Sequence, residues 1–520
     1  MTVFASPAPL LPEILALHGK WKGDKPALVC AGQWLSWRDF SDSLNRVANA
    51  LDRHGVGQRD HVVVLMNNGI EMVQAMFGIM AAGAVSVPIN LSVSDAAIAG
   101  MIEDSGASAI VVTPPQEARI EALRASLPEK VKLLVTTGTG NQDFIGWRDF
   151  LGSSSAATPA VTIEPDDLLN IIYSSGTTGL PKGIAHTHRG RRDWAYDLGI
   201  ALRYHSAART LLTIGLYSNI SWVAMLTTLL AGGTLFVHES FDADHFIASV
   251  ERDRITHTAM VPIQYQRLAE RLRQRPDADV SSMQAMMCCG SPLHESLKQE
   301  IYQRFNGGII ELYGLTEGII TTLDPEEAEG RWASVGKPLL GTDIVILGAD
   351  DRPLPAGQAG EIAARGRISM PGYYNRPEAN EEACWRDELG RAWLRSGDIG
   401  RLDEQGYLYI VDRKKDMILS GGQNIYPQDI EAVLIEHSAV NDVAVIAAGS
   451  QRWGETPIAL VVLEAGVEEK PDLIKAWCNQ RVGKQQRLAD VIVVDALPRN
   501  PNGKVLKREL RKQYAERQYS

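Results

Sequence analysis

Cysteine is scarce in this chain, with only Cys30, Cys288, Cys289, Cys384 and Cys478 among 520 residues. None stands in a paired CxxC spacing, so neither a disulfide framework nor a zinc site is indicated. The Cys288-Cys289 pair reads as buried packing, because a free cysteine behaves as a small hydrophobe. Basic residues are in the minority, 52 Lys and Arg against 63 Asp and Glu, for a net charge of −11. That balance argues against non-specific nucleic-acid binding, which needs a basic face. Long apolar runs are missing too. The longest, from Trp222 to Val237, is broken by Thr227, Thr228, Gly232, Gly233 and Thr234. It falls short of the roughly 18 apolar residues of a membrane span and predicts a buried helix, a glycine turn and a strand. The N-terminus has no basic stretch, and Pro12 and Glu13 interrupt its apolar residues, so no signal peptide is expected. The pattern GxxxxGK[ST] occurs nowhere, which disfavours a P-loop nucleotidase. No internal repeat or low-complexity tract is visible. A cytoplasmic location is expected.

What remains is ordinary globular material, 45% hydrophobic and 22% charged, enough for more than one core. Short β-rich runs alternate with helical periodicity in the first third: HVVVLM (61–66), a helix over 70–82, AVSVPI (84–89), a helix near 94–104 and AIVVT (109–113). Such alternation predicts an α/β fold with parallel or mixed sheets covered by helices. Phe40, Leu44, Val47 and Leu51 recur at helical spacing. Asp42-Ser43-Leu44 resembles a phosphopantetheine attachment core, but Phe40 stands where such sites carry glycine, and core packing is the better reading. Residues 152–160, GSSSAATPA, predict a surface loop. Beyond Asp-Arg-Lys-Lys-Asp at 412–416 the pattern reads helix (427–437), strand (443–447), strand (458–463), helix (471–482) and strand (491–494). That is a small α+β domain. The expected division is 1–412 and 413–520.

The run IIYSSGTTGLPKG, residues 171–183, carries the first chemistry. Glycines let backbone N–H groups approach an anion, hydroxyls add short donors and Lys182 supplies charge. Those are the requirements for gripping a polyphosphate. Further along stand ELYGLTEG (311–318), RSGDIG (395–400), DRKKDMILSGGQNIYP (412–427) and LPRNPNGK (497–504). Together and in this order these segments resemble the adenylate-forming superfamily of acyl- and aryl-CoA ligases, peptide-synthetase adenylation domains and beetle luciferases. The resemblance implies a large N-terminal region with a barrel-like subdomain and a small mobile C-terminal domain.

It also implies roles. Ser174, Ser175, Gly176, Thr177, Thr178, Gly179 and Lys182 would embrace the phosphates of ATP. Glu317 would be the carboxylate associated with Mg2+, and Thr316 the hydroxyl at the α-phosphate. Tyr313 and Gly314 would face adenine, with Gly290, Ser291 and Pro292 on its other side. Asp398 would accept from the ribose hydroxyls, with Arg413 beside it. Lys504 would be the catalytic cation bridging the acid's carboxylate and the α-phosphate. Lys415 would be the hinge. Ser420, Gly421, Gly422 and Trp453 would meet coenzyme A. Lys504 also sits in a context resembling sites acted on by a protein acetyltransferase, which would cancel its charge.

The implied reaction is ATP-dependent formation of an acyl-adenylate, then acyl transfer to coenzyme A. A rival is an enzyme loading a carrier protein, and a second is an inactive nucleotide sensor. Many CoA ligases carry PLYH in the acyl pocket. Here the stretch reads GLYSN (215–219), so Tyr217, Ser218 and Asn219 are pocket candidates, but the histidine's gating role does not transfer to Ser218. An aromatic acid, hydroxycinnamate- or benzoate-like, and a medium-to-long-chain fatty acid are both compatible. A monomer or homodimer is expected.

Overall fold

A computed structural model describes residues 8–174, 181–305, 307–421, 423–499 and 503–519. The chain groups into two compact units. The first comprises Met1–Trp332, Pro338–Asp343 and Arg365–Leu394, and the second Ala333–Lys337, Ile344–Ala364 and Arg395–Ser520. The second unit therefore gathers segments that precede residue 413.

In the first unit the predicted strand–helix alternation builds a sheet. Its parallel strands His61–Leu65, Val85–Pro88, Ala109–Val112 and Leu133–Thr136 are buried runs of β-branched residues, as strands covered on both faces must be. Leu168–Tyr173 joins in parallel, Gly183–Thr187 returns antiparallel, and Gly372–Tyr373 closes the edge, antiparallel to Gly183–Thr187. A second sheet of the same unit has a parallel core of Thr234–Val237, Arg209–Leu212, His257–Met260, Ala285–Cys288 and Ile310–Gly314. The run 222–237 resolves as read: a helix Asn219–Ala231, a left-handed turn at Gly232 (φ 72°) and the strand Thr234–Val237.

The stripe Phe40, Leu44, Val47 and Leu51 is the buried face of the helix Trp37–Arg53, which settles Asp42-Ser43-Leu44 as helix and core. This face packs on the helix Ile70–Ala81, where a Cβ on Gly78 would lie 2.4 Å from Val47 Cβ. Only the missing side chain permits that approach.

In the second unit the strands Val440–Ser450 and Gly454–Leu463 pair antiparallel through most of their length. Asp490–Val493 adds in parallel to one of them, and Ile418–Ser420 adds antiparallel. The helices Pro427–Leu434 and Pro471–Asn479 cover this sheet, with Ile418, Ile430, Leu434, Val445, Val461 and Ile474 in the core between them. Alongside, Ala392–Leu402 pairs antiparallel with Leu408–Arg413. No described helix is long and apolar enough to cross a membrane.

Candidate active site

Two parallel strands of the first unit, Ala285–Cys288 and Ile310–Gly314, are in register at Met287 and Ile310 and at Cys288 and Glu311. Their succeeding turns therefore emerge side by side at the carboxyl ends, where open α/β sheets bind ligands. After the first comes the turn of Gly290, Ser291 and Pro292, with Gly290 at φ 100°. At the end of the second stand Tyr313, half-buried, and exposed Gly314. Buried Lys298 and Glu311 form an ion pair that holds the start of this motif, and Lys298 also donates to the Trp332 carbonyl. Burial raises the Glu311 carboxyl, and Lys298 opposes the rise.

The turn Leu315–Gly318 is closed by Leu315 N donating to Ile319 O at 2.9 Å and Gly318 N donating to Leu315 O at 3.0 Å. Half-buried Thr316 and Glu317 lie at its tip. Gly318 follows at φ 107°, and a Cβ there would meet the Ile368 carbonyl oxygen at 2.3 Å. Glycine is required on both counts. Met370 N donates to Glu317 O at 2.8 Å, so the 368–370 segment braces the turn.

Of the phosphate-loop residues, Ser175, Gly176, Thr177, Thr178 and Gly179 lie outside the described residues. The loop's flanks are described. Ser174 N donates to Lys182 O at 3.0 Å, and Tyr374 N donates to Gly183 O at 2.8 Å. The edge pairing Tyr373↔Ile184 then sets the Tyr373 ring 4.8 Å below the Lys182 ammonium. The Tyr373 hydroxyl donates to Glu317 Oε1 at 2.9 Å. Burial and the Glu317 charge push this phenol well above its ordinary value, so it stays a donor. Lys182, Tyr373 and Glu317 thus form one continuous line. The sequence reading missed Tyr373, because a tyrosine in GYYN carries no signal until the edge strand pairs.

No group of three or more His, Cys, Asp or Glu able to hold a metal exists among the described residues. Mg2+ suits a different arrangement, one or two carboxylates completed by phosphate oxygens and water. Glu317 fits it, since a carboxylate that accepts one hydrogen bond keeps lone pairs for a cation.

Ser218 is 6% exposed and caps the helix Asn219–Ala231, its hydroxyl accepting from Ile220 N at 3.3 Å. A serine suits that cap position. Asn219 Oδ1 accepts from Arg191 Nη2 at 2.9 Å. Tyr217 is half-buried against Gly215, where a Cβ would strike its ring.

In the second unit Asp398 and Arg413 are register partners on neighbouring strands, and Arg413 Nε pairs with Asp398 Oδ1 at 2.9 Å. Asp398 is 2% exposed. The preceding RSG turn holds it from the backbone side, with Asp398 N donating to Ser396 Oγ at 2.9 Å and Lys414 N to Gly397 O at 3.0 Å. Lys504 lies in the same electrostatic neighbourhood. Burial and then the Arg413 charge lower its amine to about 8, while Asp398 and Asp416 oppose the shift. Lys504 is thereby brought to Asp398, Arg413 and Lys415, which lie about ninety or more residues before it in the chain. Asp412, just before Arg413, caps the helix Pro427–Leu434 by accepting from Gln428 N at 3.1 Å, and burial lifts its carboxyl to about 6.

Ser420 is buried, and Gly421 sits at φ 56° with its N donating to Trp453 O at 2.9 Å. A Cβ on Gly421 would lie 2.7 Å from the Trp453 ring. That indole is 47% exposed and carries the Arg452 guanidinium 4.6 Å over its face. Gly422 lies outside the described residues.

The model of the AMP-binding enzyme family matches residues 17–374, and that of the AMP-binding enzyme C-terminal domain matches residues 429–504. The chain is 33% identical to a long-chain-fatty-acid–CoA ligase of Mycobacterium tuberculosis, over 92% of this chain and 93% of that one. It is equally 33% identical to a feruloyl-CoA synthase of an Amycolatopsis species, over 93% and 94%. Its fold matches that of ATP-bound MatB from Rhodopseudomonas palustris with a TM-score of 0.88, at 26% identity, over 97% of this chain and 99% of that one. With both halves matched in order and relatives alike along nearly their whole length, the chain belongs to the AMP-binding enzyme family, the adenylate-forming superfamily.

Proposed function

We propose that this enzyme is an acyl-CoA synthetase. An oxygen of the acid's carboxylate attacks the α-phosphorus of ATP and pyrophosphate leaves, giving the acyl-adenylate. The thiol of coenzyme A then attacks the acyl carbon and AMP leaves. A carboxylate cannot acylate a thiol directly because its oxygen is too poor a leaving group, and the mixed anhydride removes that obstacle. The protein's task is positioning and charge stabilisation.

The observation that carries this reading is the line Lys182–Tyr373–Glu317 beside the flanks of the 174–182 loop. It offers a cation and a carboxylate within one side chain of each other, as a metal-bound polyphosphate needs. In this reading the loop grips the β- and γ-phosphates, Thr316 meets the α-phosphate, and Glu317 holds Mg2+, which would neutralise phosphate charge when bound. Tyr313, Gly314 and the 290–292 turn enclose adenine, and Asp398 with Arg413 takes the ribose. Lys504 supplies the cation at the reacting carboxylate.

Residues 413–520 act as the mobile domain, turning at Lys415. For the second step, Gly421, Gly422 and Trp453 receive the pantetheine arm, and the exposed indole beside a glycine turn supports that assignment. Relatives named as ligases of a long-chain fatty acid, a ferulate and 2-succinylbenzoate support an aromatic or fatty acid here. The test is AMP formation from ATP across a panel of such acids, with coenzyme A or a carrier protein as acceptor. The reading expects thioester on free coenzyme A. Acid-dependent pyrophosphate release without it, or no release at all, defeats the proposal.

A further inference from the structure

One buried guanidinium in the first unit has no carboxylate partner among the described residues. Arg191, on the helix His188–Ala201, is 1% exposed. Its Nε donates to Asn170 Oδ1 at 3.1 Å and its Nη2 to Asn219 Oδ1 at 2.9 Å. Indole faces of Trp194 and Trp222 lie 4.7 and 5.3 Å from it. Amide oxygens and rings are neutral partners. Burial pulls the group down to about 9, and no carboxylate among the described residues raises it again. A buried charge is ordinarily paired.

The strands beneath add unmatched polar atoms. Ser86 and Asn170 are register partners, and so are Asn170 and His186, which puts three side chains in a row on one sheet face. Ser86 Oγ, Asn170 Nδ2, His186 Nε2 and Trp222 Nε1 are all buried without a hydrogen-bond partner among the described residues. So many orphaned polar atoms in one place call for an explanation. The inventory indicates its chemistry. Arg191, the Asn170 amide nitrogen and the Trp222 indole can only donate, and the Ser86 hydroxyl can donate. Donors gathered around a positive charge match a carboxylate, which only accepts and does so at several points.

The position ties this cluster to the acid. Asn219 opens its helix directly after Tyr217 and Ser218, the stretch that supplies the acyl-pocket candidates. Resting on the ligase reading, we propose that the substrate is a dicarboxylic acid. One carboxylate is activated, and the other is held by Arg191, Asn219 and Asn170, with Ser86, His186 and Trp222 completing its shell.

The test compares pyrophosphate release by the wild-type enzyme, with ATP and coenzyme A, on glutarate, adipate, suberate and terephthalate and on the monomethyl ester of each. Each ester keeps the reacting carboxylate and loses only the distal charge. The expected result is a kcat/KM at least tenfold higher for one or more diacids than for the matching ester. In Arg191→Met that ratio should fall to within about threefold of unity, since the site's donors lose their charged centre. Asn219→Ala, which keeps the guanidinium, should lower the ratio less and serves if the first variant does not fold. Esters or plain fatty and aromatic acids turned over as well as or better than every diacid would overturn the proposal while leaving the ligase reading intact. A diacid preference unchanged in Arg191→Met would overturn it too. No pyrophosphate from any acid of either set would instead sink the ligase reading.

Discussion

Burial and the Arg413 guanidinium act against the charge on Lys504, Asp398 and Asp416 support it, and the balance leaves the amine titrating near 8. Since the cation is the active form in the proposed first step, kcat/KM for acid-dependent pyrophosphate release should fall as pH rises through about 8. A profile flat to pH 9.5 would contradict this. The same shift fixes a sign for stability. Between about 8 and the ordinary lysine value of 10.5 the unfolded chain holds a proton that the folded one has lost, so this residue's contribution rises with pH across that window and is constant below it. Holding the charge thus costs stability at neutral pH. Lys504→Met should lower adenylation by roughly 10²–10³-fold and leave Tm unchanged or raised at pH 7, whereas a clear fall in Tm would point to a structural lysine. Tyr373→Phe removes only the hydroxyl on Glu317. A hydrogen bond to a charged group is worth about 1.5–3 kcal/mol, so adenylation should fall about tenfold or more, with a higher Mg2+ requirement. Titration of the rate against Mg2+ checks it.

Two turns show why certain elements end in glycine. At Gly318 the obstacle to a side chain is the Ile368 backbone, 2.3 Å away. At Gly421 the obstacle is an indole, 2.7 Å from where Cβ would stand. Both positions have a positive φ, 107° and 56°, but backbone does not yield while a side chain turns aside at modest cost, so the clashes separate the two substitutions. Gly318→Ala combines the clash with a φ of 107° and should disturb the 315–318 turn itself, reducing adenylation and lowering Tm together. Gly421→Ala should displace Trp453 and slow thioester formation, while pyrophosphate release in a single turnover stays near wild type. Measuring both half-reactions on both variants decides this, and loss of adenylation in Gly421→Ala would remove the assignment of this turn to coenzyme A.

At the scale of the molecule the compact units cut across the chain, since the second takes in 344–364 and 395–412 as well as the C-terminal residues. Strand Leu408–Arg413 is paired to Ala392–Leu402, and Asp412 at its end caps the helix Pro427–Leu434. Both sides of Lys415 belong to the second unit, and the Asp412–Gln428 bond spans the proposed turning point, so rotation there would have to break that contact. Lys415→Pro fixes φ near −65° and should depress one half-reaction at least tenfold more than the other. Equal loss of both would argue against rotation at this residue.

Contiguous motifs were legible without coordinates. The loop 174–183, the YGLTEG turn, RSGD and the C-terminal lysine are short runs whose backbone requirements are written in adjacent residues, and the burial stripe of Trp37–Arg53 comes from helical spacing alone. What the sequence left open depends on register. Tyr373 reaches Glu317 because an edge strand aligns it with Ile184, and Arg413 meets Asp398 because two strands pair at that step. Ser218 proved to be a helix cap, and Arg191 lies buried beside Asn170 and Asn219 where the sequence showed only one arginine in a basic run. A motif constrains its own backbone, but which distant side chain it faces is settled by packing and strand alignment, and those exist only once the chain has folded.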